Sequence, residues 1–88
     1  MALVMNRLEV SAFFVDARAK PCPVPIIELA KALRSAPLVE LWADDPAAEV
    51  DLRAFIAATG HGLEGLELTF GLRAVIRRAG SPPPPPPP

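Results

Sequence analysis

Seven of the chain's twelve prolines stand together at its end, Pro82 to Pro88, and that run limits how much of the 88-residue sequence can fold. Proline fixes φ near the polyproline II value and has no amide hydrogen, so a pure proline run can join neither a helix nor a sheet ladder. The segment is read as an extended tail, with linker or inert spacer preferred over a ligand for an aromatic groove. What is left is a single domain over residues 1–81, close to the smallest size at which a hydrophobic core holds without staples. The chain has no obvious staple: a lone cysteine, Cys22, cannot close an internal disulfide, and one cysteine with one histidine cannot make a four-ligand zinc site. The 51% hydrophobic content is nevertheless that of a folded chain.

Charge narrows the partners. Nine Lys and Arg against ten Asp and Glu leave a net charge of −1, with no cation excess to release counterions from a nucleic acid. The charges are segregated: Glu40, Asp44, Asp45, Glu49 and Asp51 have no base among them, and Arg73, Arg77 and Arg78 have no acid among them. Such blocks are read first as solvated faces and second as a surface for a protein partner. The uncharged stretch from Ala54 to Leu63 contains two glycines and is about half the length a membrane span needs. Arg7 and Glu9 interrupt the N-terminal apolar run, which makes a poor signal peptide. The expectation is a cytoplasmic protein with a reduced thiol and no membrane contact.

Periodicity orders the rest. Leu8 to Ala17, with Val10, Phe13, Phe14 and Val15, reads as a strand. Pro21 to Pro25 stops it, and Ile26, Leu29, Ala30 and Leu33 then recur as the stripe of an amphipathic helix that Pro37 ends. Leu38 to Ala43 is a second strand. Asp45-Pro46 starts a second helix with an acidic N-cap and proline at N1, and its sheet-facing residues are Ala48, Leu52, Phe55, Ile56 and Thr59. Gly60 is expected to close it in the left-handed conformation. Leu66, Leu68 and Phe70 alternate with polar residues as a third strand; Leu72, Ala74 and Ile76 mark a fourth. The order β-α-β-α-β-β predicts an α/β fold, a two-layer sandwich with a four-stranded mixed sheet and two helices on one face.

Chemistry can centre on Cys22. Pro23 pushes the cysteine toward the extended backbone of an N-cap, and the Val24 and Ile26 amides remain as donors near a thiolate. The helix end favours a nearby anion by about 0.3–1 kcal/mol, and Arg18 and Lys20 can add to this, so a partly ionised thiol is expected near neutral pH. The competing reading, a small apolar side chain at a proline-marked helix start, stays open on these grounds. The chain has no second cysteine for a dithiol cycle. Nothing sets His61, the only histidine, beside Cys22 as a base, and a place in the loop after the second helix suits it better. A lone activated thiol can still accept a group and pass it on, and sulfur held as a persulfide fits that role.

Asp16-Ala17-Arg18, followed by Cys22-Pro23-Val24-Pro25 and an apolar helix, resembles the signature of the TusA/SirA-like sulfur-carrier family with its Cys-Pro-x-Pro motif. Ala43-Asp44-Asp45-Pro46 and Ala58-Thr59-Gly60-His61 extend the likeness, which runs roughly from Phe13 to Arg78. The resemblance implies a cytosolic sulfurtransferase-type carrier that takes persulfide sulfur from a cysteine desulfurase and relays it to an acceptor thiol. Thiolation of tRNA, cofactor synthesis and sulfur metabolism are the destinations it suggests. It places the persulfide on Cys22 and gives Pro23 and Pro25 the helix start. Asp16, Arg18 and Lys20 are read as shaping the loop or meeting an acidic donor. No metal or organic cofactor and no direct nucleic-acid contact is implied. Ala19 departs from the family's usual glycine, Lys20-Pro21 is less typical, and the tail is outside the pattern. The rival readings are a regulatory or interaction module with an incidental cysteine and a haem-responsive Cys-Pro site.

Overall fold

The computed structural model of the chain describes residues 12–81. The early part of the first predicted strand, from Leu8, and the proline tail lie outside the described residues. Six elements follow in order: β1 (Phe13–Asp16), α1 (Val24–Ser35), β2 (Leu38–Ala43), α2 (Ala48–Thr59), β3 (Gly62–Glu67) and β4 (Leu72–Arg77). They form one four-stranded sheet in the order β1-β2-β4-β3. β1 runs parallel to β2, while β4 is antiparallel to both β2 and β3. The expected α/β sandwich with a mixed sheet is therefore the observed one.

Alternation builds the core. Val15, then Val39, Leu41 and Ala43, then Leu72, Ala74 and Ile76 are buried on one face of the sheet. Leu29 and Leu33 of α1 and Ala48 and Leu52 of α2 join the same cluster, so both helices cover that face. Pro25 is also fully buried, a core position that the helical stripe did not reveal. Phe55 and Ile56 pack on the cluster from the side. Thr59 does not; it is exposed, and its hydroxyl donates to the Phe55 carbonyl at 2.7 Å.

Two boundaries moved for identifiable reasons. α2 begins after Ala47, two residues later than an Asp45 cap implies. Asp45 Oδ1 accepts from the Ala47 amide at 2.8 Å and the Asp45 carbonyl from the Ala48 amide at 2.9 Å, so Asp45 closes a tight turn that feeds the helix. The third strand starts at Gly62, and Leu68 and Phe70 fall in the turn after it, with Phe70 96% exposed. A bulge between Leu63 and Gly65 resets the pleat so that Leu63 and Leu66, three apart, both reach the core. The period-2 pattern through Leu66, Leu68 and Phe70 was an accident of spacing. Gly60 ends α2 as expected, with φ +80 and its amide on the Ile56 carbonyl at 2.9 Å.

On the opposite face of the sheet the segregated charges meet. Arg73 lies 3.1 Å from Glu40 and 3.4 Å from Glu67, and Arg77 pairs with Glu64. Trp42 sits among them, its indole donating to Glu40 at 2.7 Å with Phe14 edge-on at 5.2 Å. The acidic and basic blocks are thus partly two halves of one solvated face.

Gly71 gives a sharp test of the turn into β4. Its φ is +98, and a Cβ there would lie 2.9 Å from the Ala43 carbonyl oxygen and 3.4 Å from Asp44 Cβ. Gly71→Ala is expected to destabilise the domain by about 1–3 kcal/mol through backbone strain, read as a lowered urea midpoint with unchanged slope.

Candidate functional site

Parallel pairing of β1 with β2 brings the two strands' C-terminal ends to one edge, so the β1–α1 and β2–α2 connections become neighbours. The first connection carries Cys22. It opens at Asp16, whose carboxylate accepts from Arg18 Nε at 2.9 Å, Nη2 at 2.8 Å and the Arg18 amide at 3.2 Å. That fork holds the Asp16 carboxyl down to about 2. The same guanidinium lies 4.8 Å from the centre of the Trp42 ring. Lys20 reaches forward to Glu28 of α1 at 2.9 Å.

Two aspartates of the second connection hold the first. Asp44 Oδ1 accepts the Ala19 amide at 2.8 Å, and Asp45 Oδ2 accepts the Cys22 amide at 3.3 Å. Asp45 uses its other oxygen on Ala47 and so joins the cysteine loop to the start of α2. Ala19 takes φ +65, the left-handed conformation that glycine adopts without a Cβ clash, which is why the departure from glycine noted at this position matters.

The helix start differs from the expected one. Pro23, not Cys22, is the N-cap of α1, and the Cys22–Pro23 peptide is cis. The Val24 amide donates to the Pro21 carbonyl at 2.9 Å and the Ile26 amide to the Pro23 carbonyl at 3.0 Å. Both amides expected to face a thiolate are taken. Cys22 is half-buried, and Pro25, at the second helical position, is buried beneath α1. Arg18 and Lys20 are engaged with Asp16 and Glu28.

These contacts invert the expected electrostatics of the thiol. Burial pushes the Cys22 thiol up to about 11, and the negative carboxylates of Asp45 and Asp51 add to this. The expectation of a partly ionised cysteine fails because the thiol is half-buried and the charges acting on it are those of carboxylates.

Asp44, Asp45 and Asp51 are thus the residues of this site that sequence reasoning left among a solvated acidic run. The available signal was that run itself, which has no base to neutralise it, together with the Asp-Pro helix start. His61 is elsewhere: its Nδ1 accepts the Ala79 amide at 2.8 Å and its ring packs 5.5 Å from Phe55. Among the described residues no three His, Cys, Asp or Glu side chains are grouped to hold a metal ion. Neither of two surface grooves takes in Cys22. One, of about 760 Å³ between β1 and α1, is lined by Phe13, Val15, Glu28, Lys31 and Ser35; the other runs from Arg18 past Trp42 to Phe70.

Two measurements follow. Alkylation of Cys22 by iodoacetamide should still climb about tenfold per pH unit through pH 9.5 in the folded protein, and level off near 8.5 in denaturant. Because unfolding returns the thiol to its ordinary value, the stability held by its protonated form is complete below about pH 9 and declines as pH rises toward 11. Ala19→Gly should raise stability by about 0.5–1 kcal/mol by removing the Cβ from a left-handed position, seen as an increased urea midpoint.

Comparison with known proteins supplies the family. No curated protein matches the chain. The family model described as Sulfurtransferase TusA matches residues 13–78, from the first residue of β1 to the residue after β4, with the whole cysteine loop inside. The chain belongs to the TusA sulfurtransferase family.

Proposed function

We propose that the chain is a sulfur carrier in which Cys22 accepts sulfane sulfur from a cysteine desulfurase as a persulfide and yields it to an acceptor thiol. The observation that carries this reading is the family match across residues 13–78, within which Cys22 is the only thiol. The chemistry needs no resolving cysteine, since the acceptor's thiol completes the exchange. The carrier domain is residues 1–81, with 82–88 as a tail, working in a reducing cytoplasm and in contact with neither membrane nor nucleic acid. Thiolation of tRNA, cofactor synthesis or sulfur metabolism are the destinations in keeping with such a relay.

Pro23 and Pro25 give the loop a fixed exit into α1, and Asp16 with Arg18 shapes its entry. Arg18 and Lys20 are the cations through which an acidic donor surface would dock. Both already hold partners inside the chain, but exposed ion pairs contribute only about 0–1 kcal/mol, so exchanging Asp16 or Glu28 for a donor carboxylate costs little. The raised thiol favours a second reading, an interaction or regulatory module in which the cysteine is incidental.

Intact-protein mass spectrometry after incubation with a cysteine desulfurase and cysteine separates the two. The carrier gains one sulfur atom that reductant removes and that Cys22→Ser lacks. An unmodified chain, with Cys22 still open to a small alkylating reagent, would favour the module. Reversing Arg18 and Lys20 together to glutamate should slow transfer from the desulfurase at least fivefold at low salt.

A further inference from the structure

The face of the sheet turned away from the helices carries groups that the cysteine loop does not use. Both helices pack on the other face, so here no second layer covers the sheet among the described residues. Two aromatic rings adjoin on it: Phe14, 49% exposed, meets the half-buried Trp42 edge-on at 5.2 Å. Beside Trp42 opens a groove of about 210 Å³ with Arg73 and Phe70 on its walls. Guanidinium and carboxylate groups fill the rest. Arg73 donates through Nε to Glu40 and through Nη1 to Glu67, and Arg77 through Nε to Glu64.

One further bond on this face points to an occupant. Arg77 Nη1 donates to the Ser81 carbonyl at 3.1 Å, in a partly buried contact. Ser81 immediately precedes Pro82, so the proline tail starts beside a side chain of the uncovered face. The strand register then sets the distances. Arg77 stands opposite Leu38, Phe14 opposite Glu40 and Trp42 opposite Arg73. At about 4.8 Å per strand and about 3.3 Å per residue, Phe14 is about 12 Å from Arg77 and Trp42 about 14 Å. Seven prolines in polyproline II, at about 3.1 Å each, span about 22 Å and so reach past both rings.

We propose that Pro82–Pro88 folds back over the uncovered face of its own sheet, running from Arg77 toward the Phe14–Trp42 pair. The fit is chemical as well as metric. Proline rings pack on aromatic rings, which is how proline-rich segments are held in aromatic grooves. Each proline brings a carbonyl acceptor and no amide donor, so it suits a face rich in guanidinium donors better than a strand edge. Arg73 and Arg77 each keep Nη2 without a partner among the described residues. Polyproline II is already the preferred form of such a run, so docking it costs little further ordering. Sulfur carriage plays no part in this contact, which gives the tail a role other than that of an inert spacer.

Trp42 is the only tryptophan of the chain, so its fluorescence reads the contact directly. In the full-length chain, replacing Pro82–Pro88 by seven alternating glycine and serine residues should raise acrylamide quenching of Trp42 about twofold. Arg77→Lys keeps a charge for Glu64 but loses the guanidinium fork, and should raise quenching partway with the prolines in place. Both changes lie outside the buried core, so the far-UV circular dichroism should match that of the parent chain. If Trp42 is quenched equally with and without the prolines, the tail does not lie on this face and the proposal is overturned. If the protection is present but vanishes on dilution, the prolines come from a second copy, which overturns the contact within one chain.

Discussion

The cysteine loop owes its shape to two carboxylates that belong to another part of the chain. Asp44 and Asp45 reach across from the β2–α2 connection and accept the amides of Ala19 and Cys22, at 2.8 and 3.3 Å. Without them the loop would have a left-handed alanine and a run of prolines but no protein partner for those amides; water can replace the carboxylate at the exposed Ala19 amide, whereas the half-buried Cys22 amide left unpaired is costly. The clamp depends in turn on the parallel β1–β2 pair, which sets the two connections side by side. It also depends on Gly71, whose missing Cβ lets the turn before β4 close against Ala43 and Asp44. The site is therefore assembled from three separated stretches and is only as rigid as their packing.

The same carboxylates give the thiol its character. Helix starts are generally places where a negative charge is welcome. Here the first-turn amides are used up by the Pro21 and Pro23 carbonyls, and the acids of the α2 start face the cysteine. Electrostatic repulsion between a thiolate and Asp45 and Asp51 adds to the effect of burial, and the protonated form wins. For a chain with one cysteine this has a consequence. An oxidised sulfur would find no second thiol in the molecule to reduce it, and oxidation, like alkylation, proceeds through the thiolate.

How much of this could be read from the sequence depends on range. β2 and β4 were legible residue by residue, since Val39, Leu41, Ala43 and Leu72, Ala74, Ile76 alternate cleanly and are the buried positions. Gly60 announced its own conformation. β3 was misplaced because a bulge at Leu63 and Gly65 breaks the alternation, and the exposed Leu68 and Phe70 happened to continue it. Cys22 stood out through its prolines and its resemblance to a known motif. Its electrostatics did not, because Asp45 and Asp51 lie more than twenty residues away, and only the strand order says that they face it. Local rules predicted amides and cations around the sulfur; the fold supplied acids instead.

Neither surface groove includes Cys22, and this bears on what kind of transfer the geometry suits. An enzyme acting on a small molecule commonly surrounds it in a concave, largely apolar site with a few fixed polar groups. A half-buried cysteine on a loop clamped at two amides offers no such enclosure on its own side. What it offers is a sulfur at a defined place on the rim of the sheet, at the C-terminal ends of two parallel strands, flanked by two cations whose ion pairs are exposed and exchangeable. Most of the enclosure would have to come from the partner, and the partner's approach would displace the water that now reaches the thiol. The two sides of a sulfur relay differ in the bond broken but share this need, so one rigid loop can meet a donor and an acceptor in turn. On the proposed relay, a loop held at two amides would serve exchange between proteins rather than recognition of a small substrate.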